Sequence, residues 1–198
     1  MNIEQRAKAI FEAEAQAIQA IPIDESFARV VKLIEHCGGK VIVTGIGKAG
    51  FVARKFAALL CSTGTPAAFM HPAEAAHGDL GLIGPGDCLV AFSTSGKTRE
   101  VIEMIDLSRH LGQHSVVGIT SHPDSKLRDR CDCIIDMGVI QEPCGLGLTP
   151  TASMAVMAAI GDALALILME RKSFSREEYG LRHDSGYLGE LARNTNIT

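Results

Sequence analysis

The residues best suited to chemistry begin with Ser93-Thr94-Ser95-Gly96-Lys97-Thr98, followed by Arg99 and Glu100. Four hydroxyl residues fall in these six positions. Gly96 lets the backbone approach a ligand closely. The next run, Val101-Ile102-Glu103-Met104-Ile105, reads as a helix, whose first N–H groups have no intrahelical acceptor. Hydroxyls, a tight turn and a helix N-terminus together suit a phosphate or another anion. Capping also selects Ser and Thr, but a cap needs one hydroxyl and this turn has four.

Three further stretches carry candidate groups. Gly45-Ile46-Gly47-Lys48-Ala49-Gly50 is a Gly-rich turn between an apolar run and a helical pattern, with Lys48 as its cation. It lacks both the full dinucleotide fingerprint and the P-loop spacing. His71-Pro72-Ala73-Glu74-Ala75-Ala76-His77-Gly78-Asp79-Leu80 holds two histidines and two acids around a turn. That stretch reads either as a catalytic or sugar-orienting segment or as a capped, exposed turn. Its histidines are six apart, which is not the H-x-x-x-H spacing of a zinc pair, so no metal site is expected. Glu142 opens a loop that ends in Thr151-Ala152-Ser153 at the start of a long apolar helix, a second helix-N-terminus site. His183 lies in a polar tail.

The elements that must position these groups alternate. Helices are expected over residues 3–20 and, capped by Asp24, through Phe27, Val30, Val31 and Ile34. Glu14 interrupts the apolar stripe of the first, so partial burial is expected. Strands are expected at 40–44, 65–70, 88–92, 115–120 and 133–137. Helices are expected to follow Gly50 and Thr98, with a short polar one from Pro123 to Arg130 and a long apolar one from Ala152 to about Lys172. Nearly continuous apolar strands alternating with helices predict an α/β fold with a five-stranded parallel sheet covered on both faces, a three-layer α-β-α arrangement. The candidate groups cluster after the first, second, third and fifth strands. A ligand crevice at a topological switch point would produce that clustering. Without a linker, low-complexity tract or internal repeat, one domain is expected over residues 1–198.

Composition narrows the function. A net charge of −4 with no basic run gives no electrostatic case for nucleic acid or an anionic membrane. Trp is absent and aromatics are 5%, so stacking platforms are not expected. The segment 152–169 is apolar but contains Asp162, and reads as a buried helix. The six cysteines sit mostly in apolar runs and read as reduced thiols. With no signal-peptide pattern at the N-terminus, a cytoplasmic location is expected.

The motifs resemble a family. Thr44 to Gly50, Ser62-Thr63-Gly64-Thr65-Pro66 and the string His71 to Gly81 look like the sugar isomerase (SIS) domain of D-arabinose 5-phosphate isomerases. Ser93 to Glu100 resembles that family's S-x-S-G-x-[ST]-x-E phosphate loop. Gly145 to Thr151 and Gly161-Asp162-Ala163-Leu164 resemble its later motifs. The resemblance covers roughly residues 8–190. It implies a flavodoxin-like SIS fold and interconversion of D-arabinose 5-phosphate and D-ribulose 5-phosphate through an enediol. It also implies supply of 3-deoxy-D-manno-octulosonate (Kdo) for lipopolysaccharide or capsule, a homotetramer with shared active sites, and no obligatory metal or cofactor. Two features depart from the pattern. His183-Asp184-Ser185-Gly186 stands where His-Pro-Gly-Gly is usual, and Lys97 and Arg99 replace acidic or small polar residues. Family members often continue into CBS modules, which are not expected within these 198 residues.

An aldose–ketose isomerase needs a carbon base, a proton shuttle and a group that stabilises an enediolate. The candidates carried by the resemblance are Lys48, His77, Glu100, Glu142 and His183. Glu142 or His183 is the expected base, Glu100 the relay and Lys48 the oxyanion partner. Gly47, Ser93, Thr94, Ser95, Gly96, Thr98, Thr151 and Ser153 are the expected substrate and phosphate contacts. A non-catalytic phosphosugar-binding module and an isomerase of another sugar phosphate are the alternatives. The basic residues Lys97 and Arg99 motivate an acidic feedback ligand, Kdo or CMP-Kdo.

Overall fold

A computed structural model describes residues 1–193. Residues 194–198, which the one-domain expectation includes, lie outside the described residues. The five apolar runs form strands Val41–Thr44 (β1), Ala67–Met70 (β2), Cys88–Phe92 (β3), Ser115–Thr120 (β4) and Cys133–Asp136 (β5). They make one all-parallel sheet in the order β2-β1-β3-β4-β5, with Val41 opposite both Ala67 and Cys88. This is the flavodoxin-like order, and its switch point lies between β1 and β3.

Among the described residues eight α-helices surround the sheet: α1 (Ile3–Gln19), α2 (Glu25–Glu35), α3 (Gly47–Ser62), α4 (Pro72–Ala75), α5 (Arg99–Ser108), α6 (Ala152–Arg171), α7 (Arg176–Arg182) and α8 (Tyr187–Arg193). Strand side chains alternate between faces. Val43, Val90 and Phe92 pack with Val30 of α2, Phe56 of α3 and Met157 of α6. Ile42, Leu89 and Val116 pack on the other face with Ala75 of α4 and Val101 and Ile105 of α5. The result is the expected three-layer α-β-α arrangement. Asp24 caps α2 by accepting the Ser26 N–H at 2.8 Å.

Helix α1 lies outside these layers against α6 and has no buried residue. Ala17 touches the core, while Phe11 is 69% exposed. Helix α6 is long and apolar enough to cross a membrane by length and composition, and half of its most apolar stretch is buried within the fold.

Two expectations are corrected. Pro123 to Arg130 is not a helix but a loop with one 3₁₀ turn at Arg128–Arg130. The Leu127 N–H is drawn to the Gly96 carbonyl (3.1 Å), which takes it out of a helical ladder. The polar tail, read without elements, forms α7 and α8. Ser175 and Glu178 make a reciprocal capping box at the start of α7.

Candidate active site

The carboxyl ends of β1, β3, β4 and β5 surround a cleft of about 710 Å³. Lys48, Ser93, Thr94, Ser95, Thr98, Ser121, His122, Glu142, Gly147 and Ser153 are among its lining residues. Three helices begin here, and their N-termini are treated differently. Helices α3 and α5 start at Ile46 and Thr98, neither of which makes a side-chain cap hydrogen bond. Their leading N–H groups and the positive ends of their dipoles remain available to an anion.

The third N-terminus, that of α6, is satisfied internally. The Glu142 carboxylate accepts N–H bonds from Thr151 (2.8 Å), Ala152 (2.9 Å) and Ser153 (3.1 Å), and the Ser153 hydroxyl at 2.5 Å. Burial pushes the Glu142 pKa up. The Ser153 hydroxyl and the three N–H groups outweigh it and hold the carboxyl below its ordinary value. Expected as a phosphate contact, the Thr151–Ser153 terminus therefore already holds an anion. Glu142, expected as a carbon base, is an ionised cap whose lone pairs are taken. Thr151 does not line the cleft, and its displaced hydroxyl is buried without a partner among the described residues.

The loop after β3 is pre-shaped. Ser93 Oγ lies 2.8 Å from Thr98 Oγ1 and accepts the Gly96 N–H at 3.1 Å. That contact draws Thr98 away from capping α5. Gly96 has φ +59°, and a Cβ there would stand 2.3 Å from Ser125 Oγ. Gly96 is thus buried behind the loop and shapes it, without lining the cleft. The Thr94 carbonyl accepts from Thr120 Oγ1 (3.1 Å), Ser121 N–H (3.0 Å) and Ser121 Oγ (3.0 Å), which ties the loop to the end of β4.

Lys48 is the second residue of α3 and has no hydrogen-bond or ion-pair partner among the described residues. Gly47 before it has φ +60°, which only Gly adopts without strain, and does not itself line the cleft. In the loop before α6, the Cys144 thiol accepts N–H bonds from Thr149 (3.1 Å) and Leu148 (3.2 Å), fastening the segment that carries Gly147. The Thr149 bond is the main reason the thiol is lowered to about 7.

Three expected catalytic residues are not brought to this cleft by the chain itself. Glu100 lies in the first turn of α5, with Arg99 Nη2 4.0 Å away. His77 is exposed beyond α4, whose own cap is His71, accepting the Ala73 N–H at 3.3 Å. His183 closes α7, stacked on Tyr179 at 4.0 Å with Nδ1 donating to the Tyr179 carbonyl. Arg99 is turned onto Glu103 (3.3 Å), and neither it nor Lys97 lines the cleft, so the motive for an acidic feedback ligand weakens. His122 and Ser121 were not among the expected residues.

A larger concavity, about 770 Å³, lies at the other end of the sheet among Arg29, Lys32, His36, Arg109 and Asp132. It meets the carboxyl ends of α2 and α5, whose dipoles disfavour an anion. Its arginines are already bonded to backbone carbonyls, Arg29 to Asp132 and Arg109 to His114 and Arg130. The cleft at the strand carboxyl ends is therefore the candidate site.

Fold and site define a doubly wound α/β domain with a cleft at its switch point into which two uncapped helix N-termini open. The chain belongs to the SIS domain family, which it matches over residues 33–167. It is 38% identical to arabinose 5-phosphate isomerase KdsD of Yersinia pestis over 96% of this chain and 58% of that protein. It is 41% identical to KdsD of Pseudomonas aeruginosa over 84% of this chain and 51% of that one. The chain thus spans little more than half the length of these curated relatives. Among solved structures, Escherichia coli CFT073 c3406 in complex with arabinose 5-phosphate superposes with a TM-score of 0.87 at 36% identity, covering 92% of this chain and all of that one. A Bacteroides fragilis protein assigned to capsule formation as a phosphosugar isomerase gives 0.91 at 40% identity, covering 94% of this chain and all of that one.

Proposed function

We propose that this chain is an aldose–ketose isomerase interconverting D-arabinose 5-phosphate and D-ribulose 5-phosphate, the step that would supply Kdo. The observation that carries the reading is the convergence, at one cleft, of two uncapped helix N-termini and an unpaired lysine. The names of the similar proteins, and the arabinose 5-phosphate held by one of them, support the choice of sugar. The phosphate takes the Ser93–Thr98 loop and the α5 N-terminus. The open-chain sugar then runs toward Lys48, whose ammonium stabilises charge developing on the enediolate oxygens. Glu142 keeps the α6 terminus ionically satisfied and holds the cleft wall.

The carbon base comes from elsewhere in this reading. Helix α6 carries the chain roughly 30 Å away from the cleft before α7 begins. Phe174 packs on Gly64, just past the far end of α3, so His183 sits at the opposite pole of its own subunit. A second copy must bring it to the cleft, which fits the proposed homotetramer with shared sites. The test is incubation with D-arabinose 5-phosphate in deuterated water. Ketose formation with deuterium entering at its C1, and at C2 of the aldose re-formed from the enediol, is the expected result. Tight binding without exchange would instead identify a phosphosugar sensor, and exchange only with another sugar phosphate would move the substrate.

A further inference from the structure

We propose that His122 is a phosphate ligand of this cleft, anchored through Nδ1 on the anion loop and donating from protonated Nε2 to the bound phosphate. The inference rests on the phosphosugar reading of the same site. His122 comes directly after β4 and Ser121, and lines the cleft beside Ser93, Thr94, Ser95 and Thr98. Its Nδ1 lies 3.1 Å from the Thr94 carbonyl oxygen and 3.2 Å from Ser121 Oγ. In the imidazolium both ring nitrogens carry a proton, so Nδ1 can donate to this pair of oxygens while Nε2 is left as the second donor. Nε2 meets no other group among the described residues, and the ring is exposed to the cleft.

The anchor also fixes where Nε2 can act. The two ring nitrogens are about 2 Å apart, so Nε2 lies within roughly 5 Å of the loop carbonyl, on the phosphate end of the cleft and not at the sugar carbons. An imidazolium offers an anion a charged N–H donor there, which a neutral ring does not. Phosphate binding is therefore expected to be weaker once the ring has lost its proton.

The other charges that face this segment are few. Lys48 comes from α3 and Glu142 from the loop before α6. Arg128 Nε donates to the His122 carbonyl at 2.7 Å, and its guanidinium is paired with Asp136 of β5 at 2.5 Å. Asp124 and Lys126 lie on the same loop as His122. Glu142 is held below its ordinary value and stays ionised above pH 6. A phosphate monoester loses its second proton near pH 6, so above that the ligand is mostly dianion and its own titration does not weaken binding.

The experiment measures Kd by calorimetry for D-arabinose 5-phosphate at pH 6.5 and 8.5, with turnover assayed in parallel. Wild type, His122→Asn and His122→Gln are compared. Asn places an N–H where Nδ1 stands, preserving the anchor while removing Nε2. Wild-type Kd is expected to weaken about tenfold between the two pH values, the scale of one charged hydrogen bond. His122→Asn should be about tenfold weaker at pH 6.5 and independent of pH, with KM raised more than kcat is lowered. His122→Gln, a permanent neutral donor near the Nε2 position, should be flat with pH and intermediate in affinity. His122→Asn binding as tightly as wild type, or either variant retaining the wild-type pH slope, overturns the proposal. Absent turnover with the His122-dependent slope intact overturns the isomerase reading and leaves this one standing.

Discussion

At the scale of single residues, Glu142 shows how one carboxylate can look catalytic and be structural. Its four hydrogen bonds replace the cap that Thr151 does not provide. Glu142→Gln keeps the shape but turns an amide N–H toward donors, and should cost about 1–3 kcal/mol of stability at pH 7. The pH dependence follows from the lowered carboxyl. Glutamate's ordinary value is 4.5. The stabilisation is fully present above that value and is lost as pH falls through the lower folded value. Urea unfolding should therefore show the gap between wild type and Glu142→Gln closing from pH 5 to pH 3. A gap that stays constant over that range, or a variant that is fully stable but inactive, would return Glu142 to the role of base.

At the scale of elements, the turn from β3 into α5 depends on one close approach. Gly96→Ala forces a side chain into left-handed backbone, which costs about 1–2 kcal/mol. The same Cβ meets Ser125 Cβ at 2.4 Å and Thr120 Oγ1 at 2.9 Å. Expected losses are about 2–4 kcal/mol in stability and more than tenfold in phosphate affinity. Adding Ser125→Gly clears the nearest contact and should restore part of both, measured by denaturation and calorimetry. No restoration would mean that the turn, not the contact, sets the cost. Ser125 tolerates such a change because its hydroxyl is buried without a partner among the described residues.

Most elements were legible before the fold was known. The three central strands are buried apolar runs bounded by turn residues, the edge strands β2 and β5 are partly buried, and Asp24 announces α2. The anion loop was legible because its hydroxyl density exceeds what a cap requires. The tail helices were not, since short polar helices show little periodicity and α7 depends on a local capping box. Glu142's partner lies nine residues away at Thr151, a distance with no motif attached. His122 did carry a signal, a histidine just past the fourth strand. Inspecting the residues at the carboxyl end of every strand, and not only those in Gly-rich or hydroxyl-rich turns, picks it out.

At the scale of the whole molecule, the unpaired features ask for other copies of the chain. Ile3, Phe11 and Ile18 are exposed along one side of α1, and Leu166 and Ile167 are exposed on α6, against which α1 packs. His183 lies at the pole opposite Lys48, although both belong to stretches that resemble site motifs of one family. A shared site reconciles these placements, and mixing two inactive variants tests it. A Lys48→Ala subunit still carries His183, and a His183→Ala subunit still carries Lys48. In a mixed pair, one cleft regains both groups and the other has neither. Random reassortment of equal amounts should thus recover about a quarter of wild-type turnover. Sedimentation should show the same assembly for both variants, so that failed assembly is not mistaken for failed sharing. Intact mixed assemblies with no recovery would mean that His183 does not complete a neighbour's cleft, and the base would then have to be found within the chain's own walls.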